Sequence, residues 1–186
     1  MPAPDTETTR MNIQGQVVHL RTIDAEDLAR IRGWINREDI SSFMGIRTPV
    51  SAMEQKSWYE ALQRSQDKKV FAIVRTVDSL HIGNVSIDHI SARDRNARLT
   101  IFIGEEDFRG KGYGRDAVMA TLEYGFQSLG LNKVYLIVHE ENDRAIRLYE
   151  RCGFKREGFL REQECIGGEY VNKYFMGILR REFQKQ

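Results

Sequence analysis

The sequence predicts an α/β fold, a mixed central sheet of about seven strands with about four helices. Two patterns support this prediction. Apolar and polar residues alternate over short runs such as residues 96–103, the period of a strand, whereas residues 115–129 carry apolar side chains at helical spacing. The chain also ends in two strand-like runs that are joined by Gly167-Gly168, a sequence typical of a hairpin turn.

Composition favours one globular domain over residues 15–186, because 41% of the 186 residues are hydrophobic. Residues 1–14 contain two prolines and almost no apolar side chains, so we expect a disordered leader there. The net charge of +1 gives no strong field, which argues against nucleic-acid and anionic-membrane partners. Neither a membrane span nor a signal pattern is present, so we expect a cytoplasmic protein.

The four histidines and two cysteines are scattered, without the spacing of a metal site or of a disulfide framework. We therefore expect no metal. Cys152 lies on the inner face of a predicted helix and is interpreted as a small buried hydrophobic side chain.

The first half of the chain reads as one strand, two helices and three strands. The first strand covers residues 17–21, and Asp24 with Asp27 then opens a helix. Residues 36–50 show no periodicity, and Ser51 with Glu54 opens the second helix. The three strands follow at residues 70–74, 82–90 and 96–103.

A glycine-rich turn separates the strand at residues 96–103 from the next helix. The turn contains Gly110, Gly112 and Gly114, and cationic side chains lie at Arg109, Lys111 and Arg115. Glycine allows an anion to approach the backbone closely, and the first N–H groups of a helix have no intrahelical partner. A strand, such a turn and a helix predict a site for a phosphate or pyrophosphate.

Beyond this helix, a strand at 133–139, a helix at 142–152 and strands near 154–164 and 169–179 complete the chain.

Two motifs resemble the GNAT superfamily of acyl-CoA-dependent N-acetyltransferases. The segment R-G-K-G-Y-G matches the superfamily's [QR]-x-x-G-x-[GA] signature, and N-x-x-A-x-x-x-Y-x-x-x-G-F from Asn142 to Phe154 resembles its second block. The resemblance covers about residues 17–180. It is strongest to the bacterial branch that contains ribosomal-protein N-terminal, spermidine and amino-sugar acetyltransferases.

This resemblance implies the GNAT fold, in which two central parallel strands splay apart, here after Ile103 and His139. It implies acetyl-CoA as co-substrate, with its pantetheine in that wedge. The implied cofactor contacts are Phe102, Ile103, Gly104, Arg109, Gly110, Lys111, Gly112, Tyr113, Gly114, Asn142, Ala145 and Tyr149.

Tyr149 occupies the position of the superfamily's general acid for the CoA sulfur. Without the family pattern it reads as a core tyrosine. Many relatives carry a glutamate base at the position that Arg98 occupies here, and an arginine cannot accept a proton at neutral pH. Asp88, His89 or water could serve instead. Arg98 either binds a phosphate or carboxylate of the acceptor or is a surface arginine.

The acceptor groove of GNAT proteins is bounded by the two early helices and their linker. Asn36, Phe43, Met44, Trp58 and Tyr59 are therefore candidates for acceptor contact, with ordinary core packing as the alternative.

The leading hypothesis for function is acetylation of a primary amine on a small molecule, such as a polyamine or an amino sugar. The alternatives are an N-terminal α-amine acetyltransferase acting on a ribosomal or other protein, and a non-catalytic acyl-CoA-binding module. The final hairpin often forms dimer contacts in this fold, which by analogy predicts a homodimer.

Overall fold

The structure is a computed structural model that describes residues 12–184. Eight strands form one sheet. They are β1 (Asn12–Gln14), β2 (Val18–Thr22), β3 (Lys69–Arg75), β4 (His81–Ser91), β5 (Asn96–Ile103), β6 (Lys133–His139), β7 (Lys155–Ile166) and β8 (Glu169–Leu179). The α-helices are α1 (Leu28–Ile35), α2 (Glu38–Met44), α3 (Ala52–Arg64), α4 (Tyr113–Glu123) and α5 (Asp143–Arg151). None of the helices within residues 12–184 is long and apolar enough to cross a membrane.

The strand order is β1-β2-β3-β4-β5-β6-β8-β7, and β5 and β6 are parallel neighbours at the centre. Their pairing covers only residues 96–98 of β5 and 133–135 of β6, although β5 continues to Ile103 and β6 to His139. The two strands therefore diverge toward their carboxyl ends. The prediction of splayed parallel central strands is confirmed.

Alternation along the strands divides the apolar residues between the two faces of the sheet. Leu99 and Ile101 of β5 pack into the larger core, which also contains buried residues of α4 and α5. Phe102 faces the other side and packs with Ile31, Trp34 and Ile40, beneath α1 and α2. The side chains of Ser86, Asp88, Arg98 and Thr100 share this second face by the same alternation.

The amino-terminal segment corrects one prediction. Residues 12–14, which the sequence assigns to a disordered leader, form β1 and pair with β2. The reason is a long-range clamp, since the Asp116 carboxylate of α4 accepts hydrogen bonds from the backbone N–H groups of Gln16, Val17 and Val18 at 2.7–2.9 Å. No local pattern encodes a contact with a residue about 100 positions away. Residues 1–11 of the predicted leader lie outside the described residues.

The linker between the two early helices also differs from the prediction. Residues 38–44 form α2, which ends at Gly45 in the left-handed conformation with φ of 69°. Two turns are too short to reveal a helical period in the sequence. With β1 and α2, residues 12–184 contain eight strands and five α-helices, close to the predicted counts of about seven and about four.

Candidate active site

A cavity of about 880 Å³ lies where β5 and β6 diverge. Residues of both strand ends line it, including Leu99 to Ile103 on one side and Ile137 to His139 on the other. The glycine-rich turn, α2, α5 and the β7–β8 hairpin form the remaining walls. The cavity thus extends from the predicted phosphate site to the predicted acceptor groove.

The glycine-rich turn has the geometry that a phosphate site requires. Gly110 and Gly112 have φ of 78° and 90°, values that favour glycine, and Gly112 is the N-cap residue of α4. A Cβ atom at Gly112 would meet no heavy atom within 4 Å, so the turn is open on that side. Gly114 packs near Leu148 of α5 and brings the two helices together. The α4 N-terminus therefore offers free N–H donors and a positive partial charge to an anion.

The end of β5 is held by two guanidinium groups. Arg109 Nε donates to the Ile103 carbonyl at 3.0 Å, and Arg37 Nη1 donates to the Gly104 carbonyl at 2.9 Å. Asp39 of α2 binds Arg109 at 2.7 Å and Arg37 at 2.8 Å, so both cations are fixed. The Arg109 side chain therefore joins the glycine-rich turn to β5 and α2. Gly104 is required here because a Cβ atom would lie 2.1 Å from Trp34.

Helix α5 and its N-cap bring three predicted functional residues, Asn142, Ala145 and Tyr149, to the cavity. The Asn142 side chain caps the helix by accepting a hydrogen bond from the Ala145 N–H at 3.1 Å. Tyr149 lies farther along the helix and is only 7% exposed. Burial, with Cys152 nearby, raises the pKa of the Tyr149 hydroxyl well above its ordinary value of 10.0. The hydroxyl is therefore protonated at neutral pH and available as a donor.

Cys152 is buried as the sequence predicts. Burial raises the pKa of its thiol to about 11, so it is not a nucleophile at neutral pH.

The acceptor candidates divide into two groups. Phe43, Met44, Asp88 and Arg98 line the cavity. Asn36 does not, because its side-chain amide is bound to Val50 through both its oxygen and its nitrogen, at 2.7 and 3.0 Å. Three further candidates, Trp58, Tyr59 and His89, are also outside the cavity lining.

Asp88 and Arg98 form a cross-strand ion pair within the cavity wall. Arg98 Nε donates to Asp88 Oδ1 at 2.8 Å, and His89 Nδ1 lies 2.7 Å from the same oxygen. Burial opposes ionisation of Asp88, but these two hydrogen bonds outweigh it and hold its pKa below the ordinary value. His89 itself has a left-handed φ of 53° at a β-bulge, and its side chain is exposed. Asp88 is therefore an anion that faces the cavity.

A second polar cluster in the cavity was not anticipated from the sequence. His139 at the end of β6 is buried, and its Nε2 lies 3.2 Å from Oε2 of Glu164 on β7. Glu164 also pairs with Arg47 at 2.6 Å and with Lys173. Burial, together with the charge of Lys173, lowers the pKa of His139 below its ordinary value of 6.5. The imidazole is therefore neutral at neutral pH.

Comparison with known proteins identifies the family. The sequence profile of the acetyltransferase (GNAT) domain matches residues 18–155. The spermidine N(1)-acetyltransferase of Vibrio cholerae serotype O1 is 33% identical over 164 residues, which are 88% of this chain and 94% of that protein. The spermidine N(1)-acetyltransferase of Escherichia coli K12 is 30% identical over 166 residues, 89% and 88% of the two chains. The chain belongs to the GNAT family.

The fold comparison agrees. A crystal structure of spermidine N-acetyltransferase from Vibrio cholerae in complex with CoA and spermine superimposes with a TM-score of 0.83 at 31% identity, covering 89% of this chain and 96% of that one. The GNAT protein described here is an acetyl-CoA-dependent N-acetyltransferase, as the two sequence motifs predict.

The cavity suits acetyl-CoA in two respects. The open glycine turn at the N-terminus of α4 suits the pyrophosphate, and Arg144 of α5 lies beside Gly110 of this turn, while Arg147 also lines the cavity. No three His, Cys, Asp or Glu side chains within residues 12–184 are grouped to hold a metal ion. The homodimer and the cytoplasmic location stay predictions.

Proposed function

We propose that this GNAT protein transfers the acetyl group of acetyl-CoA to the primary amine of a small molecule, by direct attack of the amine on the thioester. The observation that carries this proposal is that one cavity joins four features. They are the glycine turn of α4, the splayed ends of β5 and β6, the protonated hydroxyl of Tyr149, and the Asp88 carboxylate. A cofactor site, a proton donor and a cation-binding group thus line one cavity.

In this reaction, Asp88 holds and orients the acceptor as an ammonium ion. Its lowered pKa makes it a good partner for a cation and a weak proton acceptor. The neutral imidazole of His139, in the same cavity, is better suited to take the proton that the amine loses. The nitrogen then bonds to the acetyl carbon as the carbon–sulfur bond breaks, and Tyr149 donates its proton to the departing thiolate. The second proton that the nitrogen loses passes to water, from which the Tyr149 oxygen is reprotonated.

Polyamines are the acceptors that the names of the relatives indicate. Two of those relatives are named spermidine N(1)-acetyltransferases, and they match 88–89% of the chain at 30–33% identity. Spermidine is therefore the reference acceptor for any assay of this protein.

The test is thiol release from acetyl-CoA with a panel of amines. The panel contains spermidine, amino sugars, phosphorylated amino compounds, amino acids and short peptides with free N-termini. We expect saturable release with a small-molecule amine, with mass-spectrometric detection of one added acetyl group. Release with peptides alone would identify an N-terminal α-amine acetyltransferase instead. Tight binding of acetyl-CoA with no release from any amine would support the binding-module alternative and reject the proposal.

A further inference from the structure

We infer that the natural acceptor carries an anionic group, a phosphate or a carboxylate, beside the amine that is acetylated. The inference rests on the proposed function and narrows its substrate class. It comes from two independent features of the acceptor side of the cavity, a polar strip on β4 and β5 and the balance of charge around it.

The strip consists of two cross-strand pairs on one face of the sheet. Ser86 lies opposite Thr100, and Asp88 lies opposite Arg98 in the next pair. All four residues line the cavity. Neighbouring cross-strand pairs place their side chains within reach of one small ligand. The strip therefore offers one carboxylate, one guanidinium and two hydroxyl groups to the same acceptor.

Arg98 retains donors for an anion. Within the described part of the chain, its ion pair with Asp88 uses Nε, and no other partner is found for its Nη1 and Nη2 groups. The side chain is 37% exposed while that of Asp88 is 8% exposed, so the guanidinium is the more accessible member of the pair. A guanidinium with two free donor groups is well suited to bidentate binding of a phosphate or carboxylate.

The remaining charges on this side disfavour a polycation. Each carboxylate that lines the cavity is already paired with arginine or lysine. Asp39 pairs with Arg37 and Arg109, Asp88 pairs with Arg98, and Glu164 pairs with Arg47 and Lys173. Lys68 adds a further cation to the lining. Asp88 can take one ammonium group, but the further ammonium groups of a polyamine would have to displace the other partners or lie among like charges, each at a cost. An amine with an attached anion instead matches Asp88 and Arg98 together.

The experiment compares acceptors that share an amine and differ in one anionic group. Ethanolamine is compared with phosphoethanolamine, glucosamine with glucosamine 6-phosphate, and both pairs with spermidine, by kcat/KM for thiol release. We expect the phosphorylated member to be preferred by about tenfold to a hundredfold, the effect of one or two hydrogen bonds between charged groups. In Arg98→Gln the two members of each pair should have about equal kcat/KM values, while Arg98→Lys should retain part of the preference.

Two controls separate recognition from damage to the fold. The KM for acetyl-CoA should be unchanged in both Arg98 variants. Arg93→Gln, which removes an exposed arginine from the adjacent β4–β5 turn, should keep the full preference. A higher kcat/KM for spermidine than for both phosphorylated amines would overturn the inference and leave the proposed function intact. A preference that survives Arg98→Gln would overturn the role of this strip. Absence of release from every amine would reject the proposed function and the inference with it.

Discussion

The α4 side of the cavity presents backbone N–H groups flanked by arginines, whereas the α2 side presents carboxylates that are paired with cations. Gly110 and Gly112 expose the amides at the start of α4, and a phosphate at this turn would be bound by groups that every residue carries. Across the cavity, Asp39, Asp88 and Glu164 are each held by cations. The first arrangement suits a ligand common to a whole family, and the second suits one particular acceptor. Substitutions on the two sides should therefore have separable effects.

The largest effect is expected on the backbone side. Gly112→Asp places a carboxylate against the pyrophosphate, and two like charges about 4 Å apart near a protein surface repel by about 4 kcal/mol. We expect the Kd of acetyl-CoA, measured by calorimetry, to rise more than about a hundredfold. Gly112→Asn is the matched control, because it has the same shape and the same left-handed φ without the charge. Similar losses in both variants would show that strain rather than charge is responsible.

Tyr149→Phe tests the proposed proton donor, which lines the same cavity. Removal of a general acid typically slows a reaction by about 10² or more, so kcat should fall about a hundredfold while the Kd of acetyl-CoA stays nearly constant. Tyr124→Phe removes a hydroxyl from another largely buried tyrosine, outside the cavity lining, and should leave kcat unchanged. An unchanged kcat in Tyr149→Phe would contradict the assignment of the acid.

The same contrast explains how much of the site could be predicted from the sequence. Gly112, Asn142 and Tyr149 belong to motifs whose local structure follows from consecutive residues, a turn, a cap and a helix face. The structure brings all three to the cavity. The fold was predictable for the same reason, apart from two short elements. They are β1, whose connection to β2 is held by Asp116, and the two-turn helix α2.

The acceptor side depends on contacts between distant segments. His139, Glu164 and Lys173 come from three different strands, and nothing in their local sequence indicates that they meet. The predicted hairpin pairs β7 with β8 but assigns no neighbour to the other edge of β8, and only the structure pairs Lys173 with His139 of β6. Similarly, Asn36 was named as an acceptor contact from its position alone, and only the structure connects it to Val50.

A pH profile can test the proposed role of His139 as proton acceptor, which the sequence did not predict. Burial lowers the pKa of His139 below 6.5, so the neutral form predominates at neutral pH and is lost as the pH falls through the lowered value. We expect kcat/KM to show a limb that falls on the acid side below pH 6.5. His139→Gln should remove this limb and slow turnover about tenfold, less than the usual effect because water can also accept the proton. His89→Gln changes an exposed histidine outside the cavity lining and should keep the limb. A limb that persists in His139→Gln and disappears in His89→Gln would assign the base to His89.

The smallest effect on catalysis is expected at Asn36, which the sequence places beside the acceptor and the structure ties to the scaffold. Asn36→Ala removes two hydrogen bonds to Val50 that hold the segment before α3 to the end of α1. Each such bond contributes about 1 kcal/mol, so the free energy of unfolding should fall by about 1–2 kcal/mol in denaturant titrations. The KM for the acceptor should not change, because the side chain is outside the cavity lining. Asn36→Asp keeps the oxygen that accepts from the Val50 N–H but sets a carboxylate oxygen against the Val50 carbonyl, so it should not recover the lost stability. If the KM for the acceptor rises in both variants while the free energy of unfolding is unchanged, Asn36 contacts the acceptor after all, and the acceptor site extends beyond α2.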